Sequence, residues 1–127
     1  MPVTYRIDAE RGLIETACTG QVSLEDVLAH FDALERDAAR PASPDVLLSL
    51  SSMNLPEGPQ LRTVVDRVGW KPGFGFRHCA IVADSDVLFG IGKMFAVLAG
   101  AHFQAVAVFR DRAEAESWLA ERRTPKG

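Results

Sequence analysis

Apolar and polar residues alternate from Val3 through Thr4, Tyr5, Arg6 and Ile7 to Asp8, the two-residue period of a strand with one face on a core. Glu10-Arg11-Gly12 interrupts the pattern as a turn. Leu13-Ile-Glu-Thr-Ala-Cys-Thr resumes it, so these two strands predict a hairpin that Gly20 ends. From residue 24 the period changes. Leu24, Val27, Leu28, Phe31 and Leu34 share one helical face. Ser23, with Asp26 three residues on, supplies a capping-box start: a hydroxyl for orphan amides and a carboxylate reaching back. Pro41 and Pro44 stop the helix.

Val46 to Leu50 is apolar enough to be a third strand covered on both faces. A helix follows from about Gly58 or Pro59, with Leu61, Val64, Val65 and Val68 inward, and a loop runs from Trp70 to Phe76. Cys79 to Ala83 predicts a fourth strand, and Asp84-Ser-Asp86 caps a helix that runs to about Ala99. Phe103 to Phe109 predicts a fifth strand. Asp111-Arg-Ala-Glu114 is a second capping-box start, after which Ala115, Trp118 and Leu119 seat the last helix. From Arg122 the chain is a polar, frayed tail. The order β-β-α-β-α-β-α-β-α predicts a single-domain α/β fold with a mixed, mostly parallel five-stranded sheet. The domain spans residues 1–122 and the polar tail 123–127.

At 127 residues the chain is long enough to bury one sizeable core. Its formal charge of −3, with no stripe of basic residues, argues against nucleic acid as a partner. Cys18 and Cys79 lie within apolar strand patterns and read as small buried hydrophobes. No Cys or His spacing suits zinc, and no cofactor is expected. The first residues carry no basic-then-apolar signal. The longest apolar stretch, Val87 to Ala101, contains Lys93 and is too short to span a bilayer. The expected location is cytoplasmic, peripheral to a membrane if an apolar surface docks there.

Parallel strands gather their carboxyl ends on one edge, where ligands of open α/β sheets collect. Here that edge carries Gln21, Ser23, Ser51, Ser52, Asn54, Glu57, Asp84, Ser85, Asp86, Arg110 and Arg112. Free amides at the helix starts favour a phosphate, a ligand or a partner loop there, while Ser23, Asp84 and Asp111 also serve as ordinary caps. Catalytic templates fail: no G-x-S-x-G elbow occurs, and His30, His78 and His102 lack metal or triad spacing. His30 is read on a helix flank, and the other two at strand entries, the edge opposite a site. Gly90-Ile-Gly-Lys93 echoes a phosphate loop, but Val87 replaces the leading glycine and Met94 the magnesium-binding hydroxyl. An enzyme using Asp84, Ser85 and Arg110 would lack a poised base beside a nucleophile. No catalytic residue is expected.

The helix from Asp86 to Ala99 is apolar nearly all round. Leu88, Ile91, Phe95 and Leu98 form a large stripe for the sheet. Gly92, Ala96 and Gly100 form a small stripe beside it, and Phe89, Met94 and Val97 extend the apolar surface. A helix of this kind is covered on more than one side. The cover is a neighbouring helix, a second copy in a homodimer, an apolar ligand or a membrane surface. Trp70, Phe74 and Phe76, among Pro72, Gly73 and Gly75, make either a hydrophobic flap or a plug at the end of the core, and their bulk favours the plug.

The element order, with Val46-Leu-Leu-Ser-Leu-Ser-Ser-Met53 followed by a helix, resembles the STAS fold of anti-sigma-factor antagonists. The whole chain is similar to small bacterial STAS-like proteins grouped with the CRAL-TRIO lipid-binding superfamily. Arg6-Ile-Asp8, Arg11-Gly-Leu-Ile-Glu15, Phe76-Arg-His-Cys-Ala-Ile-Val-Ala-Asp84 and Phe103-Gln-Ala-Val-Ala-Val-Phe-Arg-Asp111 carry that likeness. In the antagonists, a serine after the strand accepts phosphate. The resemblance lays Ser49 on the strand aspartate, Glu57 on the loop aspartate and Gly58 on the phosphoacceptor. Gly58 has no hydroxyl, so the phosphorylation switch is missing from that position. The superfamily implies instead non-enzymatic binding of an apolar or lipid-like molecule between sheet and helices, with Phe89, Met94, Val97 and the aromatics of residues 70–76 as its surface. The alternative is a regulatory interaction module that uses the same surface as a dimer or partner interface.

Overall fold

Val3, Tyr5 and Ile7 face one side of strand β1 (Val3–Asp8) and Thr4, Arg6 and Asp8 the other, as the alternation requires. A computed structural model describes residues 3–54, 62, 63, 66, 75–100 and 103–123, the side chains of 24 and 52–54 excepted. The remaining elements are β2 (Leu13–Gln21), α1 (Leu24–Arg36), β3 (Asp45–Asn54), β4 (His78–Ala83), α2 (Asp86–Ala99), β5 (Ala105–Phe109) and α3 (Arg112–Arg123). β1 pairs antiparallel with β2, and β2 to β5 are parallel, so the sheet order is β1-β2-β3-β4-β5. This is the mixed, mostly parallel five-stranded sheet that the sequence predicts.

The capping box forms as read. Asp26 N–H donates to Ser23 Oγ at 3.0 Å, and Ser23 N–H donates to Asp26 Oδ2 at 3.0 Å. Several boundaries move. Gly20 does not end β2. It takes a φ of +72° at a register shift after Thr19, and pairing continues with Gly20 opposite Met53 and Gln21 opposite Asn54. β3 therefore runs four residues past Leu50, held by backbone bonds that apolar patterning does not register. β5 starts at Ala105 rather than Phe103. The last helix continues through Arg122 to Arg123 instead of fraying, with Arg123 Nε 3.9 Å from Asp45 Oδ2. In the helix read after the third strand, Arg62, Thr63 and Asp66 are helical. Leu61, Val64, Val65 and Val68 lie outside the described residues.

Alternation divides the core in two. On one face, Cys18, Leu50, Cys79, Ile81 and Ala83 pack with Leu88 of α2, and Ile14 packs with Leu34 of α1. On the other, Leu13, Leu47 and Ala80 pack with Ala115 and Leu119 of α3. Ile14, Leu34, Leu47 and Ile81 are fully buried. Each contributes about 2 kcal/mol of apolar burial.

Candidate functional site

The face under α1 and α2 encloses a cavity of about 100 Å³. Strands β2, β3 and β4 form its floor, with Ile14, Leu48 and Ile81, and the helices close it with Leu34 and Phe95. Phe76 and Phe103 stack at one end, ring centroids 5.1 Å apart and 16° from parallel. Phe76 thus walls one end of the cavity. Trp70 and Phe74 lie outside the described residues.

Thr16 and His30 are the polar side chains, besides the thiols of Cys18 and Cys79, on the described part of the wall. The sequence places His30 on the flank of its helix. It instead lies on the inward face between Val27 and Leu34, because the packed surface of α1 is broad enough to include it. Its Nδ1 is buried and has no hydrogen-bond partner among the described residues. Burial pushes the imidazole pKa down to about 4, so it is neutral at physiological pH. Burial also pushes the Cys18 thiol up to about 11 and Cys79 up to about 12, the latter helped by the charge of Asp45. Both cysteines are free and buried, unlike reactive thiols.

The residues singled out on the apolar helix divide between opposite sides of it. Gly92 does not belong to an outer surface. A Cβ there would meet Val108 Cγ1 at 3.0 Å and Ile81 Cγ2 at 3.3 Å, so the glycine lets α2 ride close on β4 and β5. The residues turned to the sheet are Leu88, Gly92 and Ala99, with Ile91 and Phe95 packed beside them. Ala96 is half-buried. Phe89 packs at the rim of the core under two cations, Lys93 Nζ at 5.3 Å and Arg110 at 5.7 Å from its ring centre. Met94 and Val97 point outward with Val87, at 46%, 81% and 72% exposure, and make an apolar ridge away from the cavity.

At the carboxyl edge the described polar residues engage one another. Ser51 Oγ donates to Asp84 Oδ2 at 2.7 Å, and Arg110 Nη1 donates to Asp86 Oδ1 at 2.6 Å. Ser85, rather than Asp84, is the N-cap of α2, accepting from Leu88 N–H at 3.2 Å. Asn54 closes β3 opposite Gln21. Its side chain and Glu57 lie outside the described residues.

The opposite edge holds a cluster that the sequence did not announce. Asp45, 2% exposed, accepts at Oδ1 from the backbone N–H of His78 at 3.1 Å and lies 3.0 Å from His78 Nδ1. Trp118 meets the His78 ring edge-on at 6.2 Å, and the Arg122 guanidinium lies 4.5 Å from the centre of the Trp118 ring. Together they staple the end of α3 to the strand entries. Nearby, a hollow of about 300 Å³ is walled by Glu10, Arg11, Glu116 and Arg123. Its walls carry charges that already face one another, as at Arg11 Nη1 and Glu116 Oε1, 3.9 Å apart. The cavity under α1 and α2, with its apolar walls, is the better formed ligand site. Among the described residues no His, Cys, Asp and Glu cluster suits a metal, and no helix is long and apolar enough to cross a membrane.

Comparison with known proteins agrees with this architecture. A solved structure from Shewanella loihica PV-4, of an uncharacterised protein from the DUF3478 family with a SpoIIAA-like fold, superposes with a TM-score of 0.60. It is 16% identical, and the match covers 92% of this chain and 91% of that one, a likeness of fold alone. The chain matches none of the curated proteins. A family profile described as SpoIIAA-like matches residues 13–120, from the first residue of β2 into α3, and the chain belongs to the SpoIIAA-like family.

Proposed function

We propose that this chain is a non-catalytic binding module that holds an apolar or lipid-like small molecule between the sheet and helices α1 and α2, in a setting that includes the membrane surface. The observation that carries the reading is the cavity of about 100 Å³ with almost wholly apolar walls. An engineered apolar cavity of about 150 Å³ binds benzene and stays dry. A hollow of this size therefore suits a small ring or a short chain, and a longer lipid tail enters only if a helix shifts outward. The CRAL-TRIO resemblance points to the same kind of ligand. Against catalysis, the described hydroxyls and carboxylates of the carboxyl edge are engaged in caps and mutual pairs. Titration with toluene, followed by methyl NMR of Ile14 and Ile81, tests the reading. Saturable shifts at both residues are expected, and a titration without them overturns it. Co-sedimentation with phosphatidylcholine vesicles tests the membrane setting separately.

A second reading has its own observation. The ridge of Val87, Met94 and Val97 suits a second copy or a partner chain. That reading makes the chain a regulatory interaction module working without a phosphoacceptor at Gly58. Light scattering separates the two. A dimer that dissociates in Val97→Glu favours the interface, and a monomer that still binds toluene favours the cavity.

A further inference from the structure

The two outer strands of the sheet are guarded unequally. β1, at one edge, carries Arg6 and Asp8, each in an ion pair, with Glu15 and Arg11 respectively. Charges of this kind keep an edge from pairing with another chain. β5, at the other edge, reads Ala105-Val-Ala-Val-Phe109, with no charge, proline or register shift. Its side chains are half-buried, with Val106 and Val108 toward α2 and Phe109 toward α3. Among the described residues no strand pairs with its far side. One bond shows which backbone groups turn outward. Gln104 N–H donates inward, to the Arg77 carbonyl at 2.6 Å. Backbone groups alternate along a strand, so Ala105, Ala107 and Phe109 turn their N–H and C=O away from β4.

A second copy of this chain fits that edge. Turned about a two-fold axis at Ala107, β5 meets its copy antiparallel, and each Ala107 exchanges N–H and C=O with the other. Ala105 then lies opposite Phe109, a small side chain beside a large one, and Val106 opposite Val108, a β-branched pair. Just outside the strand Gln104 lies opposite Arg110, so no like charges face each other across this register. The pairing forms on the order of six backbone hydrogen bonds. A strand alone buries less than the roughly 1,000 Å² of a stable interface, and the flanking helices add to it. α2 lies close on β5 where Gly92 meets Val108, and Trp118 of α3 packs on Phe109 with ring centres 5.8 Å apart, so both helices come alongside their copies. We propose that β5 pairs with β5 of a second copy, joining two five-stranded sheets into one continuous sheet. The inference is independent of the cavity and of the ridge on α2.

Ala107→Pro tests it. Proline is tolerated on an edge strand where its missing N–H faces outward, so the monomer keeps its fold while the central pair of bonds is lost. Sedimentation equilibrium across micromolar to millimolar protein is expected to show a dimer in the wild type. In Ala107→Pro its dissociation constant rises about tenfold or more, the worth of the two lost hydrogen bonds. Hydrogen exchange on the wild type decides the matter if the variant does not fold. The amides of Ala105, Ala107 and Phe109 are expected to slow as protein concentration rises. A chain that stays monomeric, or outer amides whose exchange ignores concentration, overturns the edge pairing. A dimer that survives Ala107→Pro and dissociates in Val97→Glu also overturns it, and assigns the association to the ridge instead.

Discussion

Leu47 and Leu48 are neighbours in β3, yet they meet different interiors. Leu47 is 1% exposed in the tight layer under α3, whereas Leu48 lines the cavity. The layer under α3 is closed by small residues: Ala80 and Ala115 are both 0% exposed and let helix and sheet approach closely. Its margin is tied by charge, with Arg6 opposite Glu15 in the hairpin and Arg112 bonded to the same carboxylate. The face under α1 and α2 meets in large rings, Phe31, Phe76, Phe95 and Phe103, which do not interdigitate down to methyl-sized gaps. One sheet thus carries a side on which small residues bring helix and strands together and a side on which large rings leave an apolar hollow.

The tight side breaks most severely at Asp45. Asp45→Ala leaves the buried His78 without its acceptor and is expected to lower stability by about 4 kcal/mol, read from the urea midpoint. Next comes acid. With its pKa depressed from 6.5 to about 4, His30 resists protonation in the folded state more than in the unfolded one. Stability present above pH 6.5 is lost as pH falls through that window, by about 3 kcal/mol. His30→Phe flattens the pH 7 to 4 stretch of the unfolding profile, and a slope that persists there would mean that another group supplies it.

Packing itself sharpens the contrast. Ala80→Leu overfills the closed layer and costs about 2 kcal/mol, while Cys18→Leu fills open space, costs less than about 1 kcal/mol and abolishes toluene binding. Calorimetry on the pair measures the difference, and equal losses would erase the distinction between the faces. Glu15 gives a smaller effect. Burial would raise its pKa, but Arg6 and Arg112 outweigh it and hold the carboxyl below its ordinary 4.5. Its contribution is present above that value and is lost as pH falls through the lower folded one, so it acts at more acid pH than most of the His30 window. Glu15→Gln is expected to cost about 1 kcal/mol, reduced by salt because Arg6 and Arg112 are largely exposed. Val97→Glu on the outer ridge changes stability by less than about 0.5 kcal/mol.

The strands and helices of the described fold were legible because each buries one face, and a face imposes its period on the sequence. Val3 to Asp8 and Ser23 to Leu34 show this directly. What failed to show has no periodic signature. The extension of β3 past Leu50 is backbone pairing with the end of β2. Asp45 and His78 lie 33 positions apart, and side-by-side parallel strands bring them together. Gly92 is a matter of close approach, visible only once Ile81 and Val108 lie beneath it. His30 was ambiguous because a polar residue between Val27 and Phe31 fits a helix border as well as a helix floor. Gly58, where the resemblance lays the phosphoacceptor, has no hydroxyl, a difference legible in the sequence alone.

Strand order in the sheet follows order in the chain, and this bears on how the protein is made. As the nascent chain leaves the ribosome, each new strand finds its neighbour already laid down, and the hairpin can template all that follows. Among the described helices, α3 arrives out of step. Until its residues emerge, Leu13, Leu47 and Ala80 are bare on a nearly finished sheet. The dozen residues of α3 are then a lid on an adhesive surface, and a pause in synthesis before Arg112 is a moment at which this chain needs a chaperone.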